Sequence, residues 1–219
     1  DADTWDRLTE TVLETALRQA AAWEAAGLSL EVAVNLPAQL LADESLPERV
    51  AGIVDRHLAD RGRVVVEVTE TARFTDELSA LEILSRMRIA GFKVSVDDFG
   101  IGFSSLQRLH QSPFDEVKID RAFVARIDED EEALIITRAI VSLAHELGLQ
   151  VCAEGIETRA VLDRLAPLGC DYAQGFLFGR PAPADRITAR FAHVADARAG
   201  TVPEERPHGR GADARETCR

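Results

Sequence analysis

A regular alternation of short β-rich runs with amphipathic helical stretches constrains the fold more than any other feature of this sequence. Four stretches space their apolar residues as helices do, and they cover residues 8–20, 50–58, 78–87 and 136–147. Six β-rich runs alternate with them, at residues 30–34, 64–68, 93–96, 116–119, 149–153 and 174–178. Because strands that alternate with helices usually pair in parallel, we predict an α/β fold with a buried parallel sheet.

Glycines mark where the helical patterns end. In four places a glycine closes such a pattern and an apolar residue follows it, at Gly27, Gly91, Gly148 and Gly169. Glycine suits the left-handed backbone position that ends many helices. The resulting βα units predict a TIM-like (β/α) barrel, in which eight strands close the sheet. Six strands are visible, and because the sequence opens on a helix we expect the other two before Asp1.

The length of 219 residues fits one barrel domain with a tail. We assign residues 1–193 to a barrel that lacks its first strands and residues 194–219 to a disordered C-terminal tail. The segment from Gly200 mixes glycine, proline and charge without apolar periodicity, which is typical of disorder.

Charge and cysteine content exclude several classes of partner. The net charge of -13 repels nucleic-acid backbones and anionic membranes, and no apolar run is long enough to cross a bilayer. The three cysteines have no metal-ligand spacing, and their odd number leaves one unpaired. We therefore expect a cytoplasmic protein with no nucleic-acid polymer as partner and no direct membrane contact.

Polar side chains stand at or beside the ends of the predicted strands. They are Asn35, Glu67, Asp97, Asp98, Lys118, Glu154 and Gln174. The carboxyl ends of parallel barrel strands open on one face, so these side chains are expected to converge on one cleft. Carboxylate and amide oxygens are ligands for magnesium, manganese or calcium. A lysine among them could hold a phosphate oxygen or orient a water.

The adjacent pair Asp97 and Asp98 allows two interpretations. A cation would relieve the repulsion between two carboxylates at the end of an apolar strand. Alternatively, the aspartates cap the next helix, a position that favours this residue. The pair alone favours neither; Gly100 and Gly102, which permit close backbone approach, favour a ligand site. For Lys118, an ordinary strand-end salt bridge competes equally with a functional role.

Six motifs occur in an order that resembles the EAL domain family. They are Val-Asn-Leu at 34–36, Glu-Val-Thr-Glu at 67–70, Asp-Asp-Phe-Gly-Ile-Gly-Phe-Ser-Ser at 97–105, Lys-Ile-Asp-Arg at 118–121, Ala-Glu-Gly-Ile-Glu-Thr at 153–158 and Gln-Gly-Phe-Leu-Phe at 174–178. The resemblance implies a domain that binds cyclic di-GMP and hydrolyses it to the linear dinucleotide with Mg²⁺ or Mn²⁺, Ca²⁺ being inhibitory.

The resemblance also implies roles for individual residues. Asn35, Glu67 and Asp97 are implied as ligands of a first metal, and Asp98 as a ligand of a second. Lys118 and Glu154 are implied as the catalytic pair, with Lys118 contacting the water or phosphate and Glu154 acting as general base or water ligand. Four residues are assigned to the substrate or its loop: Glu70, Asp120, Glu157 and Gln174. Without the family pattern, Glu70 would be interpreted as a solvated loop charge.

The sequence departs from the family pattern at informative positions. No predicted strand carries the Glu-Ala-Leu tripeptide that names the family, whose glutamate is a metal ligand and which should lie on a strand before Asp1, while Ile101 and Phe103 replace a threonine and a tyrosine. We therefore predict that this chain alone is inactive and that the full-length protein is a phosphodiesterase. A catalytically silent cyclic di-GMP receptor and a regulatory dimerisation module remain as alternatives. The resemblance further implies a homodimer and an upstream sensor, receiver or cyclase domain.

Overall fold

Six parallel strands form the sheet of the computed structural model, which describes residues 2–58, 60–69, 77–100, 109 and 112–199. Their bounds are β1 Val32–Asn35, β2 Val64–Thr69, β3 Lys93–Phe99, β4 Glu116–Ile119, β5 Gln150–Ala153 and β6 Tyr172–Ala173. Each strand pairs with the next one in sequence, in the order β1-β2-β3-β4-β5-β6. The sheet curls into a half-barrel, which confirms the predicted fold class and strand number.

Helices precede, connect and follow these strands. They are α1 Ala2–Ala25, α2 Leu46–Val54, α3 Glu77–Ile89, α4 Arg121–Val124, α5 Glu131–Glu146, α6 Arg159–Leu165 and α7 Ala184–Ala199, with 3-10 turns at Ala38–Ala42, Arg61–Arg63 and Ala166–Leu168. The four glycines expected at helix ends have positive φ angles, of 80° at Gly27, 98° at Gly91, 76° at Gly148 and 86° at Gly169. These glycines turn the chain back towards the sheet.

The strands present an apolar side to the helices and a polar side to the barrel interior. The helix-facing side belongs to the hydrophobic core through Val64, Val66, Val68, Val94, Val96, Val117 and Ile119. Residues between these alternate to the other face. The strand pairing aligns one row of them across five strands, namely Asn35, Glu67, Ser95, Glu116 and Gln150. Within this row Ser95 Oγ donates a hydrogen bond to Glu116 Oε1 at 2.9 Å.

The two ends of the described chain meet on the outside of the sheet. Trp23 Nε1 in α1 donates to Thr188 Oγ1 in α7 at 2.9 Å. Helix α7 continues to Ala199, so its backbone extends past residue 193, where the sequence analysis set the domain boundary. That boundary remains a prediction, since residues 200–219 lie outside the described part. No helix among the described residues is long and apolar enough to span a membrane.

The prediction for the last strand was wrong. The segment 174–178 is not a strand; β6 is Tyr172–Ala173, and the chain turns immediately after it. A Cβ on Gly175 would collide with the backbone of Ile156, and Leu177 N donates to Ile156 O at 3.0 Å. The apolar side chains that resembled a strand therefore belong to a tight turn that folds over the end of β5.

Candidate metal centre

A β-bulge brings two consecutive aspartates towards one place at the end of β3. Val96 pairs with Val117 and Phe99 with Ile119, so Asp97 and Asp98 together oppose Lys118 alone. In a regular strand two consecutive side chains would point to opposite faces of the sheet. The extra residue and the left-handed backbone of Asp98, with φ 57°, remove this constraint. Carboxylate oxygens of Asp97, Asp98 and Glu154 consequently lie within 4.8 Å of one another.

Lys118 lies among carboxylates from three neighbouring strands. Its Nζ is 2.9 Å from Glu67 Oε1, 2.5 Å from Glu154 Oε1 and 3.5 Å from Asp97 Oδ1. The lysine side chain is only 4% exposed. Burial by itself would lower the pKa of Lys118, but the charges of Glu67 and Glu154 outweigh burial and raise it. Lys118 is therefore an ammonium ion throughout the working pH range.

The group formed by Glu67, Asp97, Asp98, Lys118 and Glu154, here termed the carboxyl cluster, carries excess negative charge. Burial raises the pKa of Asp98, as do the nearby charges of Asp97 and Asp120. Burial also raises the pKa of Glu154, against the opposing effect of Lys118. Ionisation of Asp98 and Glu154 is therefore costly unless protons or cations compensate it. Clustered carboxylate oxygens are the donor set that Mg²⁺ and Mn²⁺ prefer, so the residues fit divalent cations.

Three of the remaining predicted residues, Asn35, Gln174 and Glu157, lie at the end of a strand or in the segment that follows one. Asn35 is exposed at the end of β1 and is the register partner of Glu67. Gln174 follows β6, and its backbone N donates to Ala153 O at 2.8 Å, beside Glu154. Glu157 is exposed in the loop after β5. Glu70, together with Ile101 and Phe103, lies outside the described residues.

Asp120, which the resemblance assigns to the substrate or its loop, lies directly after β4. Its buried carboxylate accepts a hydrogen bond from Ala122 N at 2.6 Å and caps α4, and it also hydrogen-bonds the Asp98 side chain. Asp120 thus connects β4 to the bulge in β3. Its place in the Lys-Ile-Asp-Arg motif gave no sign of this contact, because the two aspartates are far apart in the sequence.

An aromatic residue beyond β6 was also missed as an individual site candidate. The ring of Phe176 is 46% exposed, and the Arg180 guanidinium lies 4.3 Å from its centre. An exposed ring backed by a cation offers a flat face to another aromatic group. The only sequence signal was the spacing of an aromatic residue and an arginine on either side of a turn.

Comparison with known proteins identifies the family. The EAL domain model matches residues 1–181, so the chain belongs to the EAL domain family. A bifunctional diguanylate cyclase/cyclic di-GMP phosphodiesterase of Pseudomonas aeruginosa, MucR, is 39% identical over 187 residues, which are 85% of this chain and 27% of MucR. The cyclic di-GMP phosphodiesterase RocR of the same organism is 36% identical over 157 residues, 72% of this chain and 40% of RocR. The chain thus spans about a quarter to two fifths of these relatives.

Solved structures agree with this assignment. The EAL domain of Mycobacterium smegmatis DcpA superposes with a TM-score of 0.81 at 34% identity and covers 91% of this chain and 87% of that one. The MucR phosphodiesterase in complex with c-di-GMP gives a TM-score of 0.77 at 39% identity over 83% and 74% of the two chains. Klebsiella pneumoniae BlrP1, with manganese and c-di-GMP, gives 0.73 at 29% identity over 80% and 45%. A calcium and c-di-GMP complex of BlrP1 also matches.

Proposed function

We propose that the full-length protein hydrolyses cyclic di-GMP to the linear dinucleotide in a reaction that depends on divalent metal ions. The observation that carries this proposal is the carboxyl cluster, in which Asp97, Asp98 and Glu154 converge within 4.8 Å beside the ammonium of Lys118. Family membership supports the substrate, since MucR and RocR are named as cyclic di-GMP phosphodiesterases.

The proposed metal ligands are those that the motifs imply. Asn35, Glu67 and Asp97 would hold a first ion, while Asp98 would hold a second, with Glu154 beside it. When bound, the cations supply Lewis acidity, which activates the attacking water and neutralises the phosphodiester. We assign Mg²⁺ or Mn²⁺ as the working ions and Ca²⁺ as an inhibitor. The manganese and calcium complexes of BlrP1 support divalent ions of both kinds in this fold.

Glu154 and Lys118 have different roles in the proposed reaction. Glu154 accepts the proton of the attacking water, because its raised pKa makes it a better base than an ordinary carboxylate. Lys118 is an unsuitable base, since its pKa is raised and it keeps its proton. Its ammonium instead contacts the phosphate and offsets charge. The water oxygen bonds to phosphorus, the bond from phosphorus to the 3′ oxygen breaks, and that oxygen takes a proton from solvent.

Substrate recognition is proposed to extend from the cluster to neighbouring loops. Phe176, backed by Arg180, would stack on a guanine base at the mouth of the barrel. Gln174 comes two residues before Phe176 in the sequence, and its backbone N bonds to Ala153, the neighbour of Glu154. Its side-chain amide would hydrogen-bond the ligand. Asp120 would steady Asp98, and Glu70 and Glu157 remain assigned to the loops around the substrate.

The wider context of the domain is also a proposal. Because the chain spans about a quarter of MucR, we propose that it works beside a sensor, receiver or cyclase domain. From the family resemblance we also propose a homodimer. We propose a cytoplasmic location, because the odd number of cysteines cannot all pair within the chain and disulfides are rare in reducing compartments.

A direct test incubates the full-length protein with cyclic di-GMP and either Mg²⁺ or Mn²⁺ and measures the linear dinucleotide by chromatography. We expect product with either metal, none after chelation, and inhibition by Ca²⁺. Tight cyclic di-GMP binding without product under every metal condition would contradict the enzyme and establish the receptor alternative. Absence of both binding and turnover would leave the dimerisation module.

A further inference from the structure

Helix α4 lies between the chain segments that follow Asp98 and Glu154, two members of the carboxyl cluster. It follows Lys118 and Asp120 directly at the end of β4. On one side it faces Gly100, just after the end of β3, and on the other Gly155, just after the end of β5. Backbone hydrogen bonds draw both segments towards β4, from Asp120 N to Phe99 O at 3.5 Å and from Glu154 N to Ile119 O at 3.1 Å.

The contact on the β3 side joins Phe123 to Gly100. Gly100 has a φ angle of 105°, and a Cβ built there would lie 2.8 Å from Cε2 of the Phe123 ring. Such a separation is too short for two carbon atoms. Gly100 is the second residue after Asp98, so the ring supports the backbone immediately beyond the bulge. A side chain on Gly100 would push either the ring or the bulge away.

The contact on the β5 side joins Arg121 to Gly155. Gly155 follows Glu154 directly and has a φ angle of 72°, and a Cβ built there would collide with Arg121 Cβ and lie 3.1 Å from Arg121 Cα. The second of these atoms belongs to the backbone, which cannot move aside as the tip of a flexible side chain can. The single turn of α4 is thus in contact with two glycines, each within two residues of a cluster carboxylate.

We propose that α4 is a positioning wedge, in which Phe123 and Arg121, through Gly100 and Gly155, set how far Asp97 and Asp98 stand from Glu154. This inference rests on the proposed metal-dependent function. Three strand ends can hold shared cations only if their separation is fixed to within a fraction of an ångström. The wedge supplies that constraint from residues outside the carboxyl cluster, and it accounts for the closeness of α4 to both glycines.

The test measures Mn²⁺ binding to the full-length protein by calorimetry, with urea unfolding in parallel. Gly100→Ala and Gly155→Ala should each raise the Mn²⁺ Kd by about tenfold or more, the range usual for residues that support metal ligands. Gly148→Ala is the matched control, because Gly148 also has a positive φ angle but nothing lies within 4 Å of its built Cβ. It should lose stability and keep the wild-type Kd.

A second set of variants tests the contact between Phe123 and Gly100 itself, because comparing the double variant with the two single variants cancels the backbone strain that Gly100→Ala adds. In the pair Gly100→Ala and Phe123→Ala, the combined variant should raise Kd by less than the product of the two single effects, since removing the ring gives the new methyl group room. Phe123→Leu should also weaken Mn²⁺ binding, whereas Phe114→Leu, in a buried ring before β4, should lower stability alone.

The results separate the inference from the function on which it rests. Wild-type Mn²⁺ affinity in the Gly100, Gly155 and Phe123 variants would overturn the wedge, as would an equal loss in Gly148→Ala or strictly multiplicative effects in the double variant. Failure of the wild-type protein to bind Mn²⁺ would overturn the proposed function first and the wedge with it.

Discussion

Two lysines on the interior face of the sheet illustrate how its two ends differ. Lys93 begins β3 at the amino end and pairs with Glu31, with side chains 31% and 24% exposed. Lys118 lies at the carboxyl end, is 4% exposed and contacts three carboxylates. A second one-to-one pair near the amino end joins Arg88 to Asp115 at 2.8 Å. At the carboxyl end one ammonium faces several carboxylates, and this is the end at which the active sites of (β/α) barrels lie.

The largest expected effect comes from Glu154→Gln, which keeps the shape and removes the base. Turnover of cyclic di-GMP should fall by about 10²- to 10⁴-fold, the usual contribution of a general base. Cyclic di-GMP affinity, measured calorimetrically with Ca²⁺, should change little. Glu31→Gln, the matched change at the amino end, should leave turnover intact. Turnover of Glu154→Gln within about tenfold of wild type would refute the role assigned to Glu154.

Replacing each lysine by methionine contrasts the two ends in stability. Without metal, Lys118→Met should lose about 3–5 kcal/mol of unfolding free energy, because it leaves buried carboxylates without their cation. Lys93→Met should lose at most about 1 kcal/mol, since its pair is partly exposed. Urea unfolding measures both, and saturating Mn²⁺ should restore part of the Lys118→Met loss. Equal losses at the two positions would remove the distinction between the ends.

The pH dependence of Mn²⁺ binding tests the uncompensated charge directly. The pKa values of Asp98 and Glu154 are both raised, so at low pH these carboxyls hold protons that Mn²⁺ must displace. Mn²⁺ affinity should therefore increase with pH, by up to about tenfold per pH unit for each proton released. Without metal, the same raised pKa values favour the folded state at low pH, and that contribution is lost as the pH rises through them. A calorimetric Kd that does not vary with pH would contradict this account.

The smallest expected effect concerns Phe176, the ring proposed to stack on a guanine base. Phe176→Ala should weaken cyclic di-GMP binding by about 1 kcal/mol, the low end for base stacking, because one face of the ring is already covered by Arg180. Phe176→Tyr keeps the ring and should bind normally. Ile89→Ala is the control, since Ile89 is an even more exposed apolar residue near the amino end of β3. Equal affinities of wild type and Phe176→Ala would remove the ring from the site.

Much of the architecture could be predicted because it follows from local chemistry. The β-rich runs predicted β2 and β4 to within a residue, and the helix-ending glycines adopt left-handed angles as expected. The convergence of Glu67, Asp97, Lys118 and Glu154 followed from strand polarity alone, since carboxyl ends of parallel strands share one face. Each of these inferences depends on periodicity or on residues at strand ends.

Features that depend on a single extra residue or on a distant contact could not be predicted. In a regular strand the side chains of Asp97 and Asp98 would point to opposite faces of the sheet. The β-bulge between Val96 and Phe99 brings them together, and the sequence gives no sign of it. The Gln-Gly-Phe-Leu-Phe segment has strand-like composition, but contact between Gly175 and Ile156 makes it a turn. The wedge is invisible in the sequence, because Phe123 and Gly100 are neighbours only in the folded chain.

The central claim is that the carboxyl cluster shares divalent cations, and an anomalous difference map from crystals of the full-length protein grown with Mn²⁺ tests it most directly. The account predicts manganese density between Asp97, Asp98 and Glu154, with Asn35 and Glu67 as ligands of one ion. Density confined to other sites, with Lys118 still bonded to Glu67 and Glu154 as the sole counter-ion of the cluster, would contradict it.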